Sequence, residues 1–403
     1  MQKQSLFKAT SNYKYLVLFL ATLGLVVNFW AWSLLSPLAS KIGTDLQLTP
    51  LQISIMIAIP VLVGSLGRIP LGILTDRFGG RAVFAAVSFF TILPVTALAF
   101  SDTYLALLAA GIFLGTGGAV FAVGIPYINL WFPPEKRGLA LGVYSMGNAG
   151  TAVSGFLTPQ FASMYDRKGA YLIVAGALLL VGLAIAFWGK NPPNWVRPAK
   201  GHALESLKTV ARQRTTWDLS LIYAVSFGAF VAFGVYLPVL LKTLYGLSLA
   251  DAAARAGGFV LLATVARPLG GWLSDKFGGK IVVRVALVLT TLLAFLVAFQ
   301  IDMSVTTTVA YLSLALVLGT CNGAVIALVS KLSKPENVGG VTGIVGACGG
   351  LGGFVPPLIL GITYQTSQSY APAFFMLSVT AFLVFLYINH RFKDASMYKE
   401  QRV

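Results

Sequence analysis

The sequence predicts an all-α membrane protein of twelve transmembrane helices in two pseudo-symmetric six-helix bundles, and three observations predict it. The 403 residues are 57% hydrophobic and 10% charged, against about 25% charged in an ordinary soluble domain, and their mean hydropathy is +0.81. Apolar runs able to cross ~30 Å of hydrocarbon, about 20 residues each, recur twelve times. The second six runs also repeat motifs of the first six, in the same order.

The first set of runs falls near 15–37, 52–74, 82–100, 104–131, 138–162 and 170–189. The second falls near 219–243, 253–274, 281–300, 306–330, 339–363 and 371–390. Lys3, Lys8 and Lys14 precede the first run as they would a secretory leader. That run is long and opens an unbroken series of spans, so it reads as a retained helix. The longest connection, 190–217, carries Asn191-Pro192-Pro193 and six basic residues, among them Arg197 and Lys200, and divides the spans six and six. The expected organisation is a first bundle over 1–189, a cytoplasmic linker over 190–217 and a second bundle over 218–403.

A net charge of +16 would suggest nucleic acid in a soluble chain. Here placement explains it. With both termini on the cytoplasmic side, twenty-two Lys and Arg lie inside, and only Lys41, Arg167, Lys168, Lys242 and Arg255 lie outside. Such asymmetry sets orientation by the positive-inside rule; no nucleic-acid partner is expected, and membrane lipid is. Cys321 and Cys348, the only cysteines, fall inside apolar runs, so neither a disulfide framework nor a thiol metal site is expected. No cofactor or metal is implied, and the spans hold no acid, base or metal-ligand cluster of the kind an enzyme needs.

Arg68-Ile-Pro-Leu-Gly-Ile-Leu-Thr-Asp76-Arg-Phe-Gly-Gly-Arg81 in the second span is answered by Arg267-Pro-Leu-Gly-Gly-Trp-Leu-Ser-Asp275-Lys-Phe-Gly-Gly-Lys280 in the eighth, at an offset of 199. Leu114 to Val120 is echoed by Leu318 to Val325, and Pro134-Glu135 with Gly138 by Pro335-Glu336 with Gly339. Each match joins equivalent spans in one orientation, so the repeats are parallel. Such repeats, with substrate held between bundles near the midplane, are the plan of major facilitator transporters.

Two basic residues, Arg68 and Arg267, remain inside the spans, at matching points of the repeat, while no acidic residue lies within a span. Each precedes its edge aspartate, Asp76 or Asp275, by eight residues, which at 1.5 Å per residue is roughly 12 Å of depth. Placing one arginine there costs about 2.5–3.5 kcal/mol on insertion scales. Two of them at ~7 Å would repel by about 2 kcal/mol at an effective dielectric near 20. The expected counter-charge is a small anionic substrate. A guanidinium is a planar fork of donors suited to a planar oxyanion. Nitrate, nitrite, formate, bicarbonate and oxalate all meet that description.

Gly72-x-x-x-Asp76-Arg77-x-Gly79-x-Arg81 resembles the signature loop of the major facilitator superfamily, and Gly271 to Lys280 repeats it. The fifth span reads Gly142-Val-Tyr-Ser-Met-Gly147-Asn148-Ala-Gly150-Thr-Ala-Val-Ser-Gly155, and the eleventh Gly343-Ile-Val-Gly-Ala-Cys-Gly349-Gly350-Leu-Gly352-Gly353. These stretches are similar to the paired signature of the nitrate/nitrite porter family within that superfamily. The resemblance implies that Arg68 and Arg267 clamp nitrate and that Asn148 offers an amide N–H to it. It further implies that Tyr223, Phe227, Phe121 and Phe29 form aromatic walls. Asp76, Arg77, Arg81, Asp275, Lys276 and Lys280 would form cytoplasmic latches that hold one conformation.

Asn322, in the tenth span, is an added candidate polar residue behind these. The only histidines, His202 and His390, lie outside the spans or at their edge, so no proton carrier is evident. Nitrate/nitrite exchange is the expected mode, with proton-coupled nitrate import or exchange of oxalate and formate as alternatives. The expected location is the cell inner (plasma) membrane, and the expected assembly a monomer.

Overall fold

The computed structural model describes residues 2–48, 50–193, 195, 202–247, 249–299, 304–334, 337–367 and 369–393. Among them every regular element is helical, as hydrocarbon requires of a chain that must satisfy its backbone within each segment. In order these are α1 Gln2–Trp32, α2 Ala39–Asp45, α3 Pro50–Phe78, α4 Gly80–Ala99, α5 Tyr104–Ala119, α6 Phe121–Asn129, α7 Pro134–Ser145 and α8 Gly150–Trp188. There follow α9 His202–Arg212, α10 Arg214–Tyr245, α11 Leu249–Leu273, α12 Gly279–Ala298, α13 Val305–Leu332, α14 Val338–Ser367 and α15 Ala371–Lys393.

Ten helical stretches are long and apolar enough to cross a membrane by length and composition, against the twelve expected. Two of the ten, Pro134–Trp188 of 55 residues and Arg255–Ala298 of 44, each pass through an interruption. In α8, Tyr165 (φ −132°, ψ 16°) and Asp166 (φ 60°, ψ −178°) leave helical geometry. The Asp166 carboxylate then accepts the Gly169 N–H at 2.8 Å and restarts the helix, within the gap expected between 162 and 170. Between α11 and α12 the chain makes a π turn, Ser274–Gly278. A 3₁₀ turn, Met146–Ala149, separates α7 from α8, and α5 gives way to α6 at Val120. The short α2 and the linker helix α9 have no counterpart in the apolar runs, because neither spans. Residues 194 and 196–201 of the linker, Arg197 and Lys200 included, lie outside the described residues, as does the Pro335-Glu336 match.

The chain divides into two compact units. Unit 1 is Met1–Pro134, Val143–Val210 and Pro335–Gly343; unit 2 is Glu135–Gly142, Ala211–Lys334 and Ile344–Val403. The opening turns of α7 thus belong to unit 2 and those of α14 to unit 1.

Within unit 1 several buried polar side chains bond across helices. Asn28 Nδ2 donates to the Gly24 carbonyl at 2.8 Å and to Ser88 Oγ at 2.9 Å. Trp30 Nε1 donates to Thr158 Oγ1 at 2.9 Å and Trp32 Nε1 to the Pro60 carbonyl at 2.8 Å. In unit 2, buried Asp218 of α10 accepts from Tyr387 Oη at 2.8 Å and Arg391 at 3.1 Å, both on α15. Large apolar side chains such as Leu105, Leu180 and Phe187 in unit 1, and Leu292, Val305 and Leu383 in unit 2, are exposed. Polar residues inside and apolar ones outside are what a lipid solvent selects.

Candidate functional site

Arg68, on α3 in unit 1, is 1% exposed. Its guanidinium lies 5.3 Å from the centroid of Phe121, within range of a cation–π attraction. Phe121, the first residue of α6, packs against Tyr144, with ring centroids 5.9 Å apart and planes inclined by 22°. Tyr144 Oη reaches the Val120 and Phe121 carbonyls at 3.2 and 3.1 Å, so it pins the α5–α6 junction that presents the ring. Phe29 on α1 is buried and packs on Trp32 at 5.0 Å. Asn148, 1% exposed, occupies the 3₁₀ turn, where one amide N–H goes to the Ser145 carbonyl at 2.8 Å. Its amide has a second N–H.

Arg267, on α11 in unit 2, is fully buried. Its guanidinium sits 4.8 Å from the Phe230 centroid and 5.6 Å from that of Phe227. Tyr223 stacks on Phe227, with centroids 4.9 Å apart and planes inclined by 10°, because residues four apart on α10 share a face. Phe230, which the sequence reading passed over, thus stands closer to Arg267 than Phe227 does. Its signal was present: it lies three residues beyond Phe227, on the same helical face. Tyr144 was missed likewise, although it stands within the quoted glycine-rich stretch.

The glycine-rich stretches let backbones approach the arginine helices. A Cβ on Gly142 of α7 would lie 2.7 Å from the Arg267 carbonyl oxygen, and one on Gly343 of α14 would lie 2.7 Å from that of Arg68. From α13, a Cβ on Gly323 would overlap the same Arg267 carbonyl, and one on Gly349 of α14 would overlap the Tyr223 ring. The approach of Gly142 to Arg267 lies in unit 2 and that of Gly343 to Arg68 in unit 1, so both units seat their arginine helix by one device.

The six latch candidates separate into two kinds. Asp76 accepts the Gly339 and Gly340 N–H groups at the start of α14, both at 3.2 Å. Asp275 accepts those of Gly138 and Leu139 in the first turns of α7, at 3.2 and 3.0 Å, and pairs with Lys331 at 2.9 Å. Asp76 thereby engages N–H groups that the start of α14 leaves without an intrahelical acceptor, where the helix dipole favours negative charge; Gly138 and Leu139 are the fifth and sixth residues of α7, so Asp275 meets N–H groups just inside its first turn. Arg81 donates to the Ala186 carbonyl at the end of α8 through Nε at 3.0 Å, and its backbone N–H bonds Asn191 Oδ1 at 3.1 Å. Arg77 lies over Phe78, Lys276 over Trp272 and Phe277, and Lys280 over Phe392. Among the described residues no cluster of His, Cys, Asp and Glu could hold a metal ion.

Membrane helices in two compact units, each with a buried arginine against aromatic rings, define a transporter-like architecture, and comparison with known proteins agrees. The sequence profile of the Major Facilitator Superfamily matches residues 21–357. A "Probable nitrate/nitrite transporter NarK2" of Mycobacterium tuberculosis is 44% identical over 92% of this chain and 94% of its own. A "Nitrite extrusion protein" of Bacillus subtilis is 38% identical over 94% of each. The chain belongs to the Major Facilitator Superfamily and, within it, to the nitrate/nitrite porter family. It is a multi-pass membrane protein, and its relatives are transporters. In fold it resembles the human organic anion transporter MFSD10, with a TM-score of 0.74, 16% identity and coverage of 93% of this chain and 99% of that one. It equally resembles the transporter FucP in its outward conformation, with a TM-score of 0.74, 17% identity and coverage of 92% and 98%.

Proposed function

We propose that this protein carries nitrate and nitrite across the cell inner membrane by alternating access, as an exchanger of one anion for the other. The observation that carries the reading is the duplicated arginine: Arg68 and Arg267, at matching points of the two repeats, are each buried against ring faces. A guanidinium offers coplanar N–H donors to a planar oxyanion, and a ring over its face restricts it to that plane. The names of the relatives agree with such a substrate.

In this reading Arg68 and Arg267 grip the anion, Asn148 donates its second N–H, and Tyr223, Phe227, Phe121 and Phe29 wall the path. The ten apolar stretches amount to twelve crossings, because the two interrupted ones each count twice, and both termini are cytoplasmic. The repeats over 1–189 and 218–403 are the moving bodies of a monomer. The Asp76 and Asp275 loops, with Arg77, Arg81, Lys276 and Lys280, latch one conformation. The bound anion relieves repulsion between the arginines, so the loaded carrier switches and the empty one does not. The buried carboxylate Asp218 is engaged by Tyr387 and Arg391, which favours exchange over proton coupling.

Uptake of labelled nitrate into proteoliposomes loaded with nitrite, nitrate or buffer tests the proposal. Uptake that needs an internal anion is the expected result. Uptake from buffer alone that follows a proton gradient would make the protein a proton-coupled importer. No uptake under any condition would turn the search to oxalate and formate.

A further inference from the structure

Asn322 of α13 is 1% exposed, and neither its amide nitrogen nor its amide oxygen has a hydrogen-bond partner among the described residues. No other carboxamide there is in that position. A buried polar group with no partner costs about 1–3 kcal/mol, and most buried side-chain polar atoms in native proteins are paired. A leucine would fill the same space without that cost.

The neighbours of Asn322 locate it. Gly323 brings α13 into backbone contact with α11 at the Arg267 carbonyl. On its other side, buried Cys321 faces Ser226 of α10, the residue before Phe227, whose ring Arg267 approaches. Asn322 is thus bracketed by the two helices that carry Arg267 and its aromatic wall, all within unit 2. A carboxamide can donate two N–H bonds and accept at its oxygen, which suits an oxyanion already engaged by a guanidinium.

Resting on the nitrate/nitrite reading, we propose that Asn322 is a specificity-determining residue that donates its amide N–H to an oxygen of the anion held by Arg267. Nitrate, with one oxygen more than nitrite, gains more from the added donor.

The test is nitrate and nitrite binding to the purified full-length protein by calorimetry, with thermal unfolding measured without anion. Asn322→Leu is expected to bind nitrate at least tenfold more weakly, to lose less for nitrite, and to unfold at the same or a higher temperature. Asn322→Asp, of equal shape but with a charged acceptor in place of the donor, is expected to lose nitrate binding to a similar or greater degree and serves if the leucine variant does not fold. Nitrate affinity within twofold of wild type in either folded variant, or an unchanged nitrate-to-nitrite ratio, overturns the inference and leaves the transport reading standing. A wild-type protein that binds neither anion overturns both.

Discussion

Arg68 and Arg267 are the two bulkiest of the fully buried side chains among the described residues, and what surrounds them explains why they are arginines. Each guanidinium lies against ring faces, Phe121 in one unit and Phe230 with Phe227 in the other. A lysine would keep the charge and lose both the planar fork and most of the stacking. Arg68→Lys and Arg267→Lys should therefore each lower nitrate/nitrite counterflow at least tenfold, the effect of losing about 1.5–3 kcal/mol of charged hydrogen bonding. Wild-type rates in either variant would show that charge alone suffices. Phe230→Leu keeps an apolar contact but removes the ring, and about 0.5–2 kcal/mol of cation–π attraction with it. Nitrate affinity should fall a few-fold, as read by calorimetry, with the protein still folded. These arginines were legible in the sequence because a charge inside an apolar run is conspicuous. Phe230 and Tyr144 were not, because an aromatic inside an apolar run is ordinary.

The arginine helix of unit 2 is seated by backbone contact, and the glycines that allow it are not interchangeable with glycines elsewhere. α11 meets α13 at Gly323 and α7 at Gly142, and an added methyl at either would press on the Arg267 backbone. Gly323→Ala must push two backbones apart and should cost about 1–3 kcal/mol, as overpacking does, seen as a lower unfolding temperature and reduced transport. Gly155, in the same quoted stretch as Gly142, has no atom within 4 Å of where its Cβ would stand. Gly155→Ala should leave both readouts at wild-type values. Identical residue types in one motif thus divide into contact and open positions. The motif alone could not make that division, since it depends on which backbone arrives from a distant helix.

Across the whole molecule, the repeat visible in sequence reappears as paired geometry. Asp76 caps the start of α14 and Asp275 binds α7 just inside its first turn, each through two N–H bonds. Losing a capping carboxylate typically costs about 1 kcal/mol. Asp76→Ala and Asp275→Ala should each lower the unfolding temperature and slow exchange several-fold; an unchanged rate in both would remove the latches from the mechanism. The unit boundaries follow the same pattern. The first turns of α7 and α14 group with the unit of the aspartate that binds them, so neither unit is a continuous half of the chain. The halves read from sequence, 1–189 and 218–403, reflect the internal duplication. The units reflect where backbones touch.

By itself the sequence determined the helical class, most of the apolar helical stretches and the two arginines within them. Each is a local property, because a bilayer forces every apolar run to satisfy its own backbone and makes every buried charge stand out. Only the tertiary structure decided which rings meet each guanidinium, which glycines are contact points, and where α8 breaks at Tyr165 and Asp166. It alone placed Asn322 between α10 and α11 with its amide unmet. These depend on residues far apart in the chain arriving within a few ångströms of one another, which no periodicity or composition encodes.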